Sequence, residues 1–184
     1  MSKTDFELQP HLVGDLVELR PLREEDWDGL FEAASNPLVW AQHPAKDRFK
    51  EEVFREFFRE ALDSGGALAA VDRATQRIVG SSRYFRFDNE IEIGWTFLAR
   101  SHWGGAYNGE MKRLMLDHAF KFVDRVIFLV GQDNIRSRKA MEKIGGVLAS
   151  RTYQRAFRGE MIEHVAYEIR KPANAQSRDS RSSL

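Results

Sequence analysis

Apolar and polar positions recur along this chain with two periods, and the two periods divide it into elements. Leu16-Val17-Glu18-Leu19-Arg20 alternates at every second residue, as a half-buried strand does, and Pro21 ends it. Behind the acids Glu24-Glu25-Asp26, residues Trp27, Leu30, Phe31 and Ala34 recur at helical spacing until Asn36-Pro37 stops the helix. Val53, Phe54, Phe57, Phe58, Ala61 and Leu62 predict a second helix over 50–62, closed by Ser64-Gly65-Gly66. Stretches 67–71, 77–87 and 91–97 read as strands joined by short turns, the last at Asp88-Asn89, which implies antiparallel pairing. A helix over 107–123 carries Met111, Leu114, Met115, His118, Ala119, Phe122 and Val123 on one face, with Lys112, Arg113, Asp117 and Lys121 opposite. Residues 126–130 are all apolar, as in a central strand covered on both faces. Asn134 is a natural N-cap for a short helix to Lys143, with Ser137, Ala140, Met141 and Ile144 inward. Strands over 147–155 and 161–169 follow, joined by a hairpin at Phe157-Arg158-Gly159-Glu160. Residues 1–14 read as a loose leader, 15–171 as one domain and 172–184 as a polar, disordered tail.

Composition narrows the chemistry. With 42% hydrophobic and 30% charged residues, 184 residues make a core without disulfides. Lys+Arg number 28 and Asp+Glu 28, and no basic stripe interleaves with aromatics, so nucleic acid is not an expected partner. The absence of cysteine removes thiolate metal ligands and any acyl-cysteine intermediate. His11, His43 and His164 have no metal-ligand spacing, so no metal is expected. No apolar run reaches membrane-spanning length and no signal-like start is present, so the expected location is the cytoplasm, with no membrane partner.

Candidate chemistry gathers at 90–109. Glu90 and Glu92 share one side of a strand by alternation. The chain then becomes glycine-rich, and N–H groups from Trp103, Gly104, Gly105, Ala106, Tyr107 and Asn108 would meet an anion at the start of the next helix. A turn without a ligand is the other reading of this loop. Gly109 is followed by Glu110 and Met111, not a Walker lysine. Gly104-x-Ala106-x-x-Gly109 mimics a dinucleotide fingerprint, but it follows an antiparallel meander and opens no βαβ repeat.

Trp103-Gly104-Gly105-Ala106-Tyr107 resembles the W-G-x-G-Y form of the acetyl-CoA loop in GNAT-superfamily N-acetyltransferases. The broader Q/R-x-x-G-x-G/A pattern falls on Ser101-His102-Trp103-Gly104-Gly105-Ala106, with Ser101 in place of Gln or Arg and Arg100 beside it. Asn134-x-x-Ser137 followed by Glu142-Lys143-Ile144-Gly145 is similar to the Rim-type branch, whose enzymes acetylate ribosomal-protein N-termini. Gly14 to Leu22 is similar to that branch's first strand. The resemblance implies an α/β (α+β) fold, GNAT-like. Its sheet would be mixed, mostly antiparallel, of six or seven strands, splayed at the centre between 91–97 and 126–130, with about four helices.

It also implies acetyl-CoA as cofactor and direct transfer to a primary amine, either a peptide N-terminus or a small molecule. Glu92 precedes Ile93-Gly94-Trp95 as in the branch's E-I-G-Y/W and is the first choice of general base, with Glu90 second. Backbone N–H of Trp95 or Phe97 would hold the acetyl carbonyl, and Arg100, Ser101, His102, Asn134 and Ser137 would join the loop around the cofactor. The family's general-acid tyrosine corresponds to Met141 here, and Ser137 is the other candidate for that role, with a capping-turn serine as its competitor. A non-catalytic acyl-CoA-binding module remains the alternative, and monomer and homodimer are equally open.

Overall fold

The computed structural model describes residues 6–87 and 90–173. The Asp88-Asn89 turn, residues 1–5 of the expected leader and 174–184 of the expected tail lie outside the described residues. In chain order the elements are β1 (Leu12–Val13), β2 (Val17–Pro21), α1 (Trp27–Ala34), α2 (Pro37–Trp40), α3 (Glu51–Asp63), β3 (Ala67–Asp72) and β4 (Ile78–Phe87). They continue with β5 (Glu90–Leu98), α4 (Tyr107–Ala119), β6 (Arg125–Gly131), α5 (Ile135–Lys143), β7 (Val147–Phe157) and β8 (Glu160–Arg170). The strands form one sheet ordered β1-β2-β3-β4-β5-β6-β8-β7. Every neighbouring pair is antiparallel except β5 and β6, so the mixed, mostly antiparallel α/β fold is as expected.

Among the described residues, eight strands stand where six or seven are expected, and five α-helices where about four are. Part of the apparent leader supplies the extra strand, because Leu12 pairs with Leu19 and Val13 with Glu18. Phe6 is also in the core, edge-on to Tyr84 at 5.1 Å and to Phe122 at 5.2 Å. The residues before β2 are therefore folded from Phe6 on, because their apolar side chains cover the aromatic end of α4. The extra helix is α2. Pro37 ends α1 but suits a first helical turn, and the Asn36 side chain accepts the Leu38 N–H at 3.0 Å.

Each face of the sheet has its own core. Met111, Met115 and Ala119 of α4 pack with Tyr84, Ile93, Val126 and Phe128 on one face. Leu30, Phe54, Phe57 and Phe58 of α1 and α3 pack with Ala67, Ala69 and Phe97 on the other. His118 is buried on α4, its Nε2 bonded to the Glu7 carbonyl at 2.9 Å. Lys112 departs from the expected pattern: it is 2% exposed and not on a solvated face. The helix turns a second stripe inward through Lys112, Met115, Leu116 and Ala119, a spacing that is itself helical.

At its centre the sheet parts. β5 and β6 are in register only at Ile91–Val126 and Glu92–Ile127. On the other edge of β5, Trp95 and Thr96 have no partner in the ladder between Gly94↔Arg83 and Phe97↔Ser81. Trp95 there has φ of +51°. A bulge of this kind bends its strand and re-aims side chains.

Candidate active site

The parted strands open a cavity of about 360 Å³ that runs from the glycine loop to the residues around Trp40 and His164. At the loop end, residues 100–102 make a single 3₁₀ turn and Gly104 takes φ of +73°, where a Cβ would be strained. The space beside Gly104, Gly105 and Gly109 is open. The Trp103 N–H, expected among the free amides, closes the 3₁₀ turn on the Arg100 carbonyl at 3.3 Å; among the described residues those of Gly104 to Asn108 find no acceptor, and the first regular bond of α4 is from Glu110 to the Ala106 carbonyl at 2.9 Å. Free amides and the positive end of a thirteen-residue helix together suit a phosphate.

Side chains fix the loop. The Glu110 carboxylate accepts the N–H groups of Asp15, Leu16 and Val17 at 2.7–2.9 Å, which ties the start of α4 to β2. Tyr107 donates to Asp72 at 3.2 Å and packs edge-on to His102 at 4.7 Å. Ser101 Oγ meets His102 Nδ1 at 2.9 Å. Trp103 donates from Nε1 to the Leu98 carbonyl at 2.9 Å, and its ring lies between Arg100 at 4.7 Å and Arg136 at 4.1 Å.

His102, Trp103, Gly104, Gly105 and Asn108 line the cavity on the loop side. Trp95, Phe97, Asn134 and Ser137 line it along the split. Arg100, Ser101, Ala106 and Tyr107 stand around it without lining it. Asn134 accepts the Ser137 N–H at 3.2 Å, so the asparagine of the second motif is the cap of α5.

The two carboxylates have different settings. Glu92 is wholly buried; Oε2 meets Arg155 at 2.5 Å and Oε1 has no partner. Oε1 lies under Gly94, 3.1 Å from where a Cβ would be. Burial raises the Glu92 carboxyl above the ordinary carboxylate range, with Arg155 and Arg83 opposing it. Glu90 is instead clamped by Arg151 at 2.9 and 3.0 Å and paired with Arg125, and Arg151 holds it below the ordinary range against a smaller opposing effect of burial. Neither carboxylate lines the cavity itself.

Four residues that were not singled out from the sequence also line the cavity: His164, Arg48, Lys112 and Arg136. His164 holds Nδ1 at 3.0 Å from the Ile162 carbonyl, so Nδ1 carries the hydrogen and Nε2 is free to accept one. Burial lowers its pKa and keeps the ring neutral. The Arg136 guanidinium bonds to the Leu38 and Val39 carbonyls at 3.3 and 2.8 Å, which docks α5 against α2 beside the loop. It falls inside Asn134-x-x-Ser137, and that position was the signal available for it. Lys112 donates to Thr96 Oγ1, and to Ser82 Oγ at 3.4 Å, from beneath the split. Trp40 is a core ring, donating from Nε1 to the Ala34 carbonyl at 2.8 Å, and it also borders the cavity. No group of His, Asp or Glu fit to hold a metal ion occurs among the described residues.

This arrangement fits coenzyme A, with free amides for a pyrophosphate and an unpaired strand edge for an amide-bearing arm. Comparison with known proteins agrees. No curated protein gives a match. A crystal structure of a GCN5-related N-acetyltransferase from Brucella melitensis superposes with TM-score 0.77 at 19% identity, over 91% of this chain and 80% of that one. The acetyltransferase (GNAT family) from Bacillus anthracis gives 0.71 at 20%, over 88% and 98%. The microcin C7 self-immunity acetyltransferase MccE, in complex with acetyl-CoA and AMP, gives 0.69 at 14%, over 91% and 100%. At these identities the likeness is one of fold. The family model described as "Acetyltransferase (GNAT) domain" matches residues 17–147, most of the chain, and the protein therefore belongs to the GNAT acetyltransferases, which use acetyl-CoA.

Proposed function

We propose that the chain is an N-acetyltransferase that moves an acetyl group from acetyl-CoA to a primary amine by direct attack, in the manner of the Rim-type branch. The observation that carries this reading is one continuous cavity. Unpaired loop amides lie at one end, and a buried carboxylate with a free oxygen and a neutral imidazole lie near the other. When bound, acetyl-CoA supplies an activated acyl carbon and a thiol leaving group. The amides of residues 104–108 and the Arg100 and Arg136 cations would hold its phosphates. The bulge at Trp95 and Thr96 frees main-chain N–H groups to face a developing oxyanion.

An amine attacks only when neutral, so a proton must leave it. Glu92 is the acceptor, directly or through water, because burial raises its proton affinity and Oε1 is uncommitted. Glu90, saturated by two arginines, serves the sheet. Ser137, at the cavity wall, would relay a proton from solvent to the departing thiolate, its hydroxyl taking one as it gives one. Thiol release from acetyl-CoA in the presence of an amine panel, beside calorimetry with coenzyme A, tests the reading. Turnover with any amine supports it. Coenzyme A binding without turnover points to the acyl-CoA-binding module, which Met141 at the family's tyrosine position favours.

A further inference from the structure

At the Trp40–Trp95 end of the molecule, two guanidinium groups that form no ion pair among the described residues share one aromatic ring. Arg83 on β4 is 6% exposed, stacks 4.7 Å from Trp95 and lies 5.7 Å from Phe57. Its Nε and Nη2 are buried and donate to nothing. Arg48, between α2 and α3, lies 4.4 Å over the same Phe57 ring and 5.2 Å from Trp40, and it lines the cavity. Glu60 on α3 is exposed; its charge bears on both arginines but it pairs with neither. Burial draws each guanidinium down to about 10, against the opposing charge of Glu60 at both, of Glu92 at Arg83 and of Asp47 at Arg48.

His43 adds a third donor. Its Nδ1 accepts the Ala45 N–H at 2.9 Å, so the hydrogen of the neutral ring is on Nε2. That Nε2 faces the Arg48 Nη1 at 3.5 Å, donor against donor. Burial, followed by Arg48 and His164, pushes His43 down to about 3, so the ring stays neutral. Desolvated donors without acceptors are costly, and an anion that fits between them relieves the cost. Arginine forks match carboxylate and phosphate geometry, and the aromatic faces hold the forks in place. The loop end has its own cations in Arg100 and Arg136, on different elements, so this second cluster is not needed for a pyrophosphate.

We propose that Arg48, Arg83 and the His43 Nε2–H form a subsite for an anionic group, carboxylate or phosphate, carried by the amine acceptor itself. The inference rests on the acetyl-transfer reading of the cavity that His43 and Arg48 line, with Arg83 behind its Trp95 wall. It narrows the acceptor from any primary amine to one with an anion on the same small molecule or peptide, the amine toward Glu92 and the anion toward the arginines.

The test is calorimetry on the coenzyme A complex with matched amines: common amino acids as free acids against their amides, and phosphoethanolamine against ethanolamine. At least one anionic member should bind about tenfold or more tightly than its neutral counterpart, and which pair responds names the anion. Arg83→Met and Arg48→Met should each reduce that preference to about threefold or less. Arg83→Lys, which keeps the charge and loses the fork, should fall between and stands in if the methionine variant does not fold. Equal binding within every pair, or an intact preference in all three variants, overturns the subsite. Coenzyme A affinity is measured first on each protein. If the wild type does not bind coenzyme A, the acetyl-transfer reading fails as well; if it binds and shows no anion preference, the subsite alone fails.

Discussion

Lys112 donates to the Thr96 hydroxyl from inside the protein, with no carboxylate paired to it among the described residues. Its ammonium lies 5.4 Å from the Phe128 ring, so the β5 and β6 sides of the split meet over one buried amine. Burial lowers its pKa from 10.5 to about 7. Between those values the unfolded chain binds more protons than the folded one, so stability rises with pH across that window. Below about 7 both states are protonated and the full penalty applies. Lys112→Met should therefore stabilise the protein at pH 7 by roughly 1–4 kcal/mol and flatten the rise toward pH 10. Urea unfolding at both pH values measures it, and a destabilised variant would mean that the ammonium is well solvated.

Removing the proton acceptor should separate chemistry from binding. Glu92→Gln keeps the shape and the Arg155 contact but cannot take a proton. We expect turnover to fall by about 10²–10⁴-fold, with coenzyme A affinity within about twofold of wild type. Because the Glu92 pKa is raised, the acid limb of the wild-type pH–rate profile should lie above the free-glutamate value of 4.5. The variant's residual rate should lack that limb.

Glu90→Gln should give the opposite result. Its pairs with Arg151 and Arg125 lower the folded pKa, so they contribute stability above the unfolded value that is lost as pH falls through the folded one. The variant should lose stability at pH 7 and show a shallower decline on acidification. Turnover should drop far less than in Glu92→Gln. If it drops equally, the two carboxylates act together.

The glycine loop has a simple probe. Gly104 has φ of +73° and open space beside it, so alanine meets no atom but takes on backbone strain. Gly104→Ala should cost about 1–2 kcal/mol and weaken coenzyme A binding by at least tenfold if the loop relaxes out of its amide-presenting shape. Thermal unfolding and calorimetry report the two effects separately.

Periodicity carried most of this fold. The three-strand meander and the final hairpin stand where apolar spacing puts them; the long helix starts at Tyr107 as expected but ends at Ala119 and not at 123. The hairpin tip is at Arg158 and Gly159, with φ of 49° and 83°. Periodicity failed where burial had two sides or came from afar. Lys112 looked solvated because Met111, Leu114 and Met115 already defined a face, and the second inward stripe begins with the lysine itself. Arg83 alternates as a strand residue should; nothing local reveals that Trp95 and Phe57 cover it. Phe6 and β1 were missed because a two-residue strand has no period.

Among the described residues, the ladder across the centre of the sheet pairs only Ile91–Val126 and Glu92–Ile127, beside the ion pairs of Glu90 with Arg125 and Arg151 and of Glu92 with Arg155. The main-chain seam between β1–β5 and β6–β8 is thus narrow. Amides of residues 93–98 that face the gap and those of 128–131 should exchange with deuterium sooner than the flanking ladders in the free protein. A guest laid along the gap would stitch the halves together and slow that exchange, so its grip on the fold could be read without following any reaction.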